Sequence, residues 1–457
     1  MAQLLSIGEL IQCYRRSRGK TLSQLSELTG IHKETLSKIE NGDVKRPEYK
    51  TIRPLADILQ IPLETWVELH ITVDKRADTL LFVLQDVIQH SGAADLVTKV
   101  GRKFLESPSD DSHTLVERLY GLTSNVENKE IQFALYKLIV DYSRDHGIMP
   151  FLARGLFQVY LIERDDFTRL RSVYDSGKHI VQYVDFLTSE DRITLYYKLA
   201  IHAFNLFLYR QSIDLCLHVL READTDNLYY IYALGILRNS YFRIEDYEKS
   251  EYYFRLYMQY DAPHSKTNAV LMEAALDAKK GNSDAAIARL TSFLKTCSQD
   301  EALLAINQLM QIYLPDNRLD EADQLLAYPI QPQSISTNNP NIISQLAEYY
   351  FHRAEYFITV GDIQKAVSDL LESAWYFSKV NDTDNEKECI NKLENLNDAL
   401  LAKVKELKQK LIHIANQKGK LTDDEVVQIS QQLDIYILDL QKYYIKQQEK
   451  DIARRSS

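Results

Sequence analysis

Between Thr21 and Gly42 the chain sets Lys33, Glu34, Thr35, Ser37, Lys38 and Asn41 in a spacing suited to hydrogen bonding with base edges and phosphates. Ile31, Leu36 and Ile39 fall on one helical face, which leaves the polar side chains for the other. Thr21 and Gln24 form a capping box that opens a preceding helix, each satisfying an orphan amide. Leu25 and Leu28 are that helix's expected buried stripe. Gly30 tolerates the positive φ that a tight turn between two crossed helices requires. Two helices so joined offer the outer face of the second to a major groove. Arg15, Arg16, Arg18 and Lys20 form one nearby basic cluster, and Lys45, Arg46, Lys50 and Arg53 another. Arg15 and Arg16 therefore join the six polar residues as candidate DNA contacts.

Length and charge set the frame for these residues. At 457 residues the chain exceeds what one core usually holds, so several domains are expected. Residues 1–72 carry a formal charge of +1 and the remainder −12. An acidic remainder repels DNA, so contact is expected in the first domain alone. With so little positive charge, one copy binds weakly, and a homodimer on two half-sites is the natural remedy. Cys13, Cys216, Cys297 and Cys389 are widely spaced, with no metal-ligand pattern, and reduced thiols in the cytoplasm are the simplest reading. No leader-like start and no apolar run approaching the ~20 residues needed to span a bilayer is present, so no membrane is expected. No glycine-rich phosphate loop, His-Glu-x-x-His or nucleophile elbow occurs, and no cofactor is expected.

The middle of the chain repeats. Small residues at 212, 250, 286, 322 and 366 recur at intervals of 38, 36, 36 and 44. The fuller copies add a bulky residue nine before and four after, as in Phe357, Ala366 and Leu370 or Tyr241, Ser250 and Phe254. Tyr313, Ala322 and Leu326 form a third copy; Leu170 after Phe167 is a weaker one. Small residues let the two helices of a pair approach, and stacking of pairs buries the faces that no pair buries alone. The longer interval holds Pro329, Pro332 and Pro340 and reads as a loop. The expected architecture is all-α: an N-terminal domain at 1–72, a helical linker and cap at 73–150, a right-handed repeat solenoid at 151–384 and a helical hairpin at 385–457. The first helix of each pair should line the inner wall, which places Tyr197, Asn205, Asn239, Asn307, Gln311 and Glu355 there. Asparagine amides suit an extended peptide, since each bonds both a backbone N–H and a C=O.

Beyond the repeats, Leu393, Leu396, Leu400, Leu401, Val404, Leu407, Leu411 and Ile414 recur at helical spacing. Gly419 breaks the run, and Thr422 to Glu425 form a second capping box before Val426, Ile429, Leu433, Ile437 and Leu440. Two long helices joined by a short turn make an antiparallel hairpin. Read from its residues, this hairpin is a dimerising or capping coiled coil.

Four family resemblances follow. Over residues 5–70 the chain resembles the helix-turn-helix family of the phage repressors. Ile7, Leu10 and Ile11 fit its first helix, the Ile39–Gly42 ending its third, and Leu55 to Leu63 its closing helices. Leu22 stands where that family often has glutamine, and His32 where a Ser or Thr cap is commoner. The repeats resemble the tetratricopeptide unit of 34 residues. Together these look like the RRNPP peptide-sensing regulators of Gram-positive bacteria. That resemblance implies a homodimer, double-stranded DNA as one partner, and a short signalling peptide bound in the repeats as another (quorum sensing).

The tail resembles the two-helix aspartyl-phosphate phosphatases of sporulation over Lys408 to Tyr444. Their signature S-Q-E-L-D stands here as Ser430, Gln431, Gln432, Leu433 and Asp434. The resemblance implies a phosphorylated response regulator as partner, with Ser430, Gln431 and Asp434 as catalytic candidates. Placing the attacking water is most of what phosphoryl transfer asks of a protein. An active phosphatase, a receiver-docking module and a plain dimer hairpin all stay open. Substitution at Lys33 or Lys38 should disable a chain that works through DNA, and Asp434→Ala one that works mainly as a peptide-controlled phosphatase or receiver binder.

Overall fold

The computed structural model describes residues 6–418, apart from 91, 167–168, 261–264, 331–334, 337–338 and 381, together with 427 and 431. Every regular element among them is helical. Contacts divide the chain into two compact units, Met1–Asp165 with Asp175–Arg192, and Asp166–Tyr174 with Ile193–Ser457. No described helix is long and apolar enough to cross a membrane.

The first unit begins with α1 (Ile7–Ser17), α2 (Leu22–Thr29), α3 (Lys33–Glu40), α4 (Tyr49–Ile58) and α5 (Leu63–Val73). Ser6 and Glu9 cap α1 reciprocally, and Thr21 and Gln24 cap α2 as the sequence predicts. Gly30 closes α2 at φ +70°. Leu22 and Leu25 pack into the core, whereas Leu28, expected in the same stripe, is exposed. A two-turn helix has room for one narrow inward face, and here Ser26 and Thr29 complete it by donating to the carbonyls of Ile31 and Leu25.

Helix α1 lies directly on the end of α3. A Cβ on Gly8 would sit 2.1 Å from the Ile39 carbonyl oxygen. Gly8→Ala therefore forces the two helices apart, with an expected loss of about 1–3 kcal/mol in denaturant unfolding. Helices α6 (Ala77–His90), α7 (Ala94–Leu105), α8 (Ser112–Thr123), α9 (Lys129–Asp145) and α10 (Met149–Glu163) follow. Their buried faces and those of α1–α5 form one continuous core running from Ile7 to Phe151. The helix α11 (Leu170–His179) and a 3₁₀ segment (Ile180–Phe186) come next.

A titratable group sits inside that core. His70 is fully buried beside the Tyr49 ring, and neither ring nitrogen has a hydrogen-bond partner. Burial pushes its pKa below the ordinary value, with Asp74 opposing and Arg76 reinforcing the shift. The unfolded chain therefore takes up the proton first. Stability is full above the unfolded value near pH ~6.5 and falls as the pH descends from there, by at most about 1.4 kcal/mol per unit. The expected result is that His70→Leu flattens this acid-side loss in unfolding measured from pH 7.5 to 5.

The second unit is built from helical pairs: α12 (Ser189–Asn205) with α13 (Tyr209–Glu222), α14 (Leu228–Arg243) with α15 (Tyr247–Tyr257), and α16 (Ser265–Lys279) with α17 (Ser283–Phe293). Next come α18 (Gln299–Tyr313) with α19 (Leu319–Leu326), α20 (Pro340–Val360) with α21 (Ile363–Lys379), and then the single helix α22 (Thr383–Lys418). The five repeat markers Ser212, Ser250, Ala286, Ala322 and Ala366 are completely buried. The Ser212 and Ser250 hydroxyls donate to the carbonyls of Ala200 and Arg238 on the facing helix, so a small polar side chain serves as well as alanine.

The turn inside each pair has a backbone signature. Phe207, Glu245, Gly281, Asn317 and Gly361 all have φ between +54° and +84°, each five residues before its marker. Pro340 opens α20, where the missing N–H costs nothing, and is not part of the predicted loop. Phe167, from the weakest predicted copy, lies outside the described residues.

Candidate functional site

In the first unit the candidate surface is the outer face of α3. Its inner side is fixed by Leu36 and Ile39, both buried, and by Glu40. Lys33, Glu34, Thr35, Lys38 and Asn41 are exposed, and Ser37 is half-buried, accepting from Asn41 Nδ2 at 3.4 Å. His32 caps α3 through its backbone position alone, without a side-chain hydrogen bond. Apart from that Asn41–Ser37 bond the outward residues point to solvent, and their chemistry is that of amide, hydroxyl and ammonium donors with one carboxylate.

The neighbouring basic residues divide. Arg16, Lys45, Arg46 and Lys50 are exposed. Arg15, a predicted DNA contact, is instead tied within the fold. Its Nε and Nη2 donate to the two Glu40 oxygens at 2.6 and 2.7 Å, and its Nη1 to the Lys20 carbonyl at 2.8 Å. Three of its five N–H groups are committed in this way, which makes Arg15 a brace between α1 and the end of α3. Arg53 is likewise held by Asp57 and Asp86, and Arg18 donates to Gln60.

In the second unit a cavity of about 330 Å³ opens along the first helices of the pairs. Phe204 of α12, Asn239 of α14, Asn268 of α16, Asn307 and Gln311 of α18, and Gln345 of α20 line it. Its wall is rich in amides, and Gln308 and Asn341 add two more. Asn307 Nδ2 donates to the Gln345 carbonyl at 2.7 Å, which locks α18 to α20. The same locked amide turns its Oδ1 to a position where it meets no donor, and Gln308 Oε1 is also buried without one. Both belong to residues that line the cavity, and an extended backbone carries the N–H groups these acceptors lack.

Of the predicted inner-wall residues, Asn239, Asn307 and Gln311 come together here. Tyr197 does not: it stacks on Tyr229 with ring centroids 4.7 Å apart. Asn205 is half-buried and outside the cavity. Glu355 faces a second recess with Gln311 and His352, and Lys392 of α22 holds it at 3.1 Å. Sequence reasoning missed Arg238, Asn268 and Gln345.

Of the catalytic candidates in the tail, Gln431 is helical and exposed. Ser430 and Asp434 lie outside the described residues, as does most of the predicted second helix. No group of His, Cys, Asp and Glu able to hold a metal occurs among the described residues.

Comparison with known proteins finds two family segments. Residues 12–66 match the helix-turn-helix family, and residues 400–442 match the Spo0E like sporulation regulatory protein family. Among curated relatives from Bacillus subtilis (strain 168), the uncharacterized HTH-type transcriptional regulator RghRB is 42% identical over 57 residues, which is 12% of this chain and 41% of the relative. The HTH-type transcriptional repressor RghR is 39% identical over 59 residues, 13% of this chain and 44% of the relative. The chain therefore spans about two fifths of the length of these relatives. The crystal structure of Bacillus thuringiensis PlcR in complex with the peptide PapR7 and DNA aligns at 13% identity over 84% of this chain and 99% of that one. Its TM-score of 0.23 is too low to bear on fold or function. The matched segments identify a helix-turn-helix domain at residues 12–66 and a Spo0E-like segment at 400–442, in a chain whose described residues form only helices.

Proposed function

We propose that this protein is a DNA-binding transcriptional regulator whose repeat unit takes up a short signalling peptide. The observation that carries the reading is an amide-lined cavity in which Asn307 and Gln308 have unpaired acceptors, in a chain whose helix-turn-helix presents an exposed polar face. The regulator and repressor relatives that share the helix-turn-helix support the DNA half of it. The acceptors of Asn307 and Gln308 support the peptide half, because a peptide backbone brings the donors they lack. Two copies on two half-sites supply the affinity that one copy with little net charge lacks. For the peptide to regulate, its affinity must differ between the arrangements that do and do not bind DNA.

Binding to a fragmented genomic DNA library tests the first half. The full chain should enrich one sequence motif, and Lys33→Ala with Lys38→Ala should abolish that enrichment. The salt slope of residual binding should flatten by about one per lost phosphate contact. Equal enrichment by both proteins would sink the assignment of α3.

The Spo0E-like match supports a second activity, on a phosphorylated response regulator. Here Asp434 and Gln431 would place the water for in-line attack on the aspartyl phosphate, with Ser430 beside them. Incubating the full chain with a phosphorylated receiver should release phosphate, and Asp434→Ala should stop the release. If the wild-type chain binds the receiver and leaves the phosphate in place, the segment is a docking module.

A further inference from the structure

The cavity in the repeat unit contains a cation that the fold does not neutralise. Arg238 of α14 lines it and is only 4% exposed. Its Nε donates to the Asn239 amide oxygen at 3.0 Å, and its Nη1 has no partner. The guanidinium rests over the Tyr257 and Phe254 rings, at 5.1 and 6.0 Å from their centroids, and no carboxylate acts on it. Burial pushes its pKa down to about 10, so the charge persists at neutral pH. The other arginine of the wall, Arg243, is met by Glu348 at 3.7 Å, and Lys279 is exposed at the rim.

A buried charge without a counter-charge is costly, and two other largely buried arginines among the described residues are given one. Arg353 has Asp369 and Arg15 has Glu40, each at 2.6 Å. Aromatic faces and one amide oxygen offset part of that cost at Arg238, and a carboxylate would offset far more. The amides around it bond a peptide's backbone, but they do not neutralise a cation.

We infer that Arg238 is the receptor for a carboxylate of the bound peptide. Arg238, with its unpaired Nη1, lines the same cavity as Asn307 and Gln308, whose acceptors are also unpaired, so one ligand carrying both a carboxylate and amide N–H groups offers partners to all three residues. This inference rests on the peptide reading above and adds the ligand's charged group to it. A peptide has two sources of that group, its C-terminus and its Asp or Glu side chains.

The test uses immobilised full-length protein and three pools of synthetic random-sequence heptapeptides, with retained peptide measured by mass spectrometry. The first pool lacks Asp and Glu and ends in a free acid. The second is the same pool with a C-terminal amide. The third is amidated and contains Asp and Glu. The expected result is retention of the first or the third pool by roughly tenfold or more over the second, about 1.4 kcal/mol. Which of the two is retained identifies the source of the carboxylate. Arg238→Gln should bring that pool down to the level of the second, and Arg238→Lys should keep part of the preference. Equal retention of all three pools by the wild-type chain overturns the assignment of Arg238 and leaves the peptide reading standing. So does an undiminished preference in a folded Arg238→Gln chain. Retention of no pool overturns both. The wild-type comparison needs no substitution, so a variant that fails to fold does not shield the proposal.

Discussion

Alanine at Arg15 is expected to destabilise the first unit by about 3–5 kcal/mol, the usual cost of stripping a buried ion pair of one partner. Glu40 is the reason. Its side chain is 3% exposed, at the end of α3, and Arg15 supplies both of the hydrogen bonds its carboxylate receives from side chains. Without the guanidinium the carboxylate must either take up a proton or draw α3 out of the core. Urea unfolding of the wild-type and Arg15→Ala chains measures the loss. The double substitution Arg15→Met with Glu40→Leu separates two roles, because an apolar pair of similar volume often restores stability. If Arg15 only braces α3, the double variant recovers genomic-fragment enrichment along with stability. If Arg15 also touches phosphate, stability returns and binding does not.

The second large effect is expected at Asp369. This carboxylate is nearly buried on α21 and accepts from Arg353 Nε and Nη2 of α20, both at 2.6 Å. The guanidinium also lies over the Tyr349 and Tyr350 rings at 5.4 and 5.0 Å. Asp369→Ala leaves that cation between two aromatic faces with no anion, at an expected cost of about 3–5 kcal/mol. In an array whose stability is a sum over neighbouring repeats, the loss should first appear as local opening of the α20–α21 pair. Amide hydrogen exchange should therefore rise in 340–379 before it rises in 209–257. Uniform acceleration across the unit would show that the array unfolds as one body.

The sequence was most legible where one residue type answers to one local geometry. The capping box at Thr21, the turn at Gly30 and the five small residues at the crossings each reflect a constraint satisfied within a few residues or one helical pair. The backbone turns were less legible. Only two of the five positive-φ positions are glycine, and Phe207, Glu245 and Asn317 adopt the same conformation under pressure from the pair around them. Leu28 misled because apolar spacing over two turns does not reveal how wide the buried face is.

The bracing role of Arg15 was hidden for a different reason. Its partner is 25 residues away, and a cluster of basic residues looks the same in sequence whether its members face solvent or a buried acid. Arg238 was hidden for a related reason. It adjoins Asn239, which sequence reasoning did place on the inner wall, but its burial is imposed by Tyr257 and Phe254 from the next helix of the pair.

Helix α22 has a consequence for the segment it leads into. It begins at Thr383, packs Cys389 and Leu393 into the core of the last repeat, and runs without a break to Lys418. The Spo0E-like match starts at residue 400, so its first half is the outer part of this same rod. The direction in which that half points is therefore a phase, set by residue count from the repeat core. One residue added between Leu396 and Leu400 turns everything beyond it by about 100° and advances it by about 1.5 Å. Seven residues added at the same place advance it by about 10 Å and turn it by only about 20°. Reach and bearing are thus separately adjustable by insertion, and a chain whose output depends on bearing will tolerate the longer insertion and fail with the shorter one.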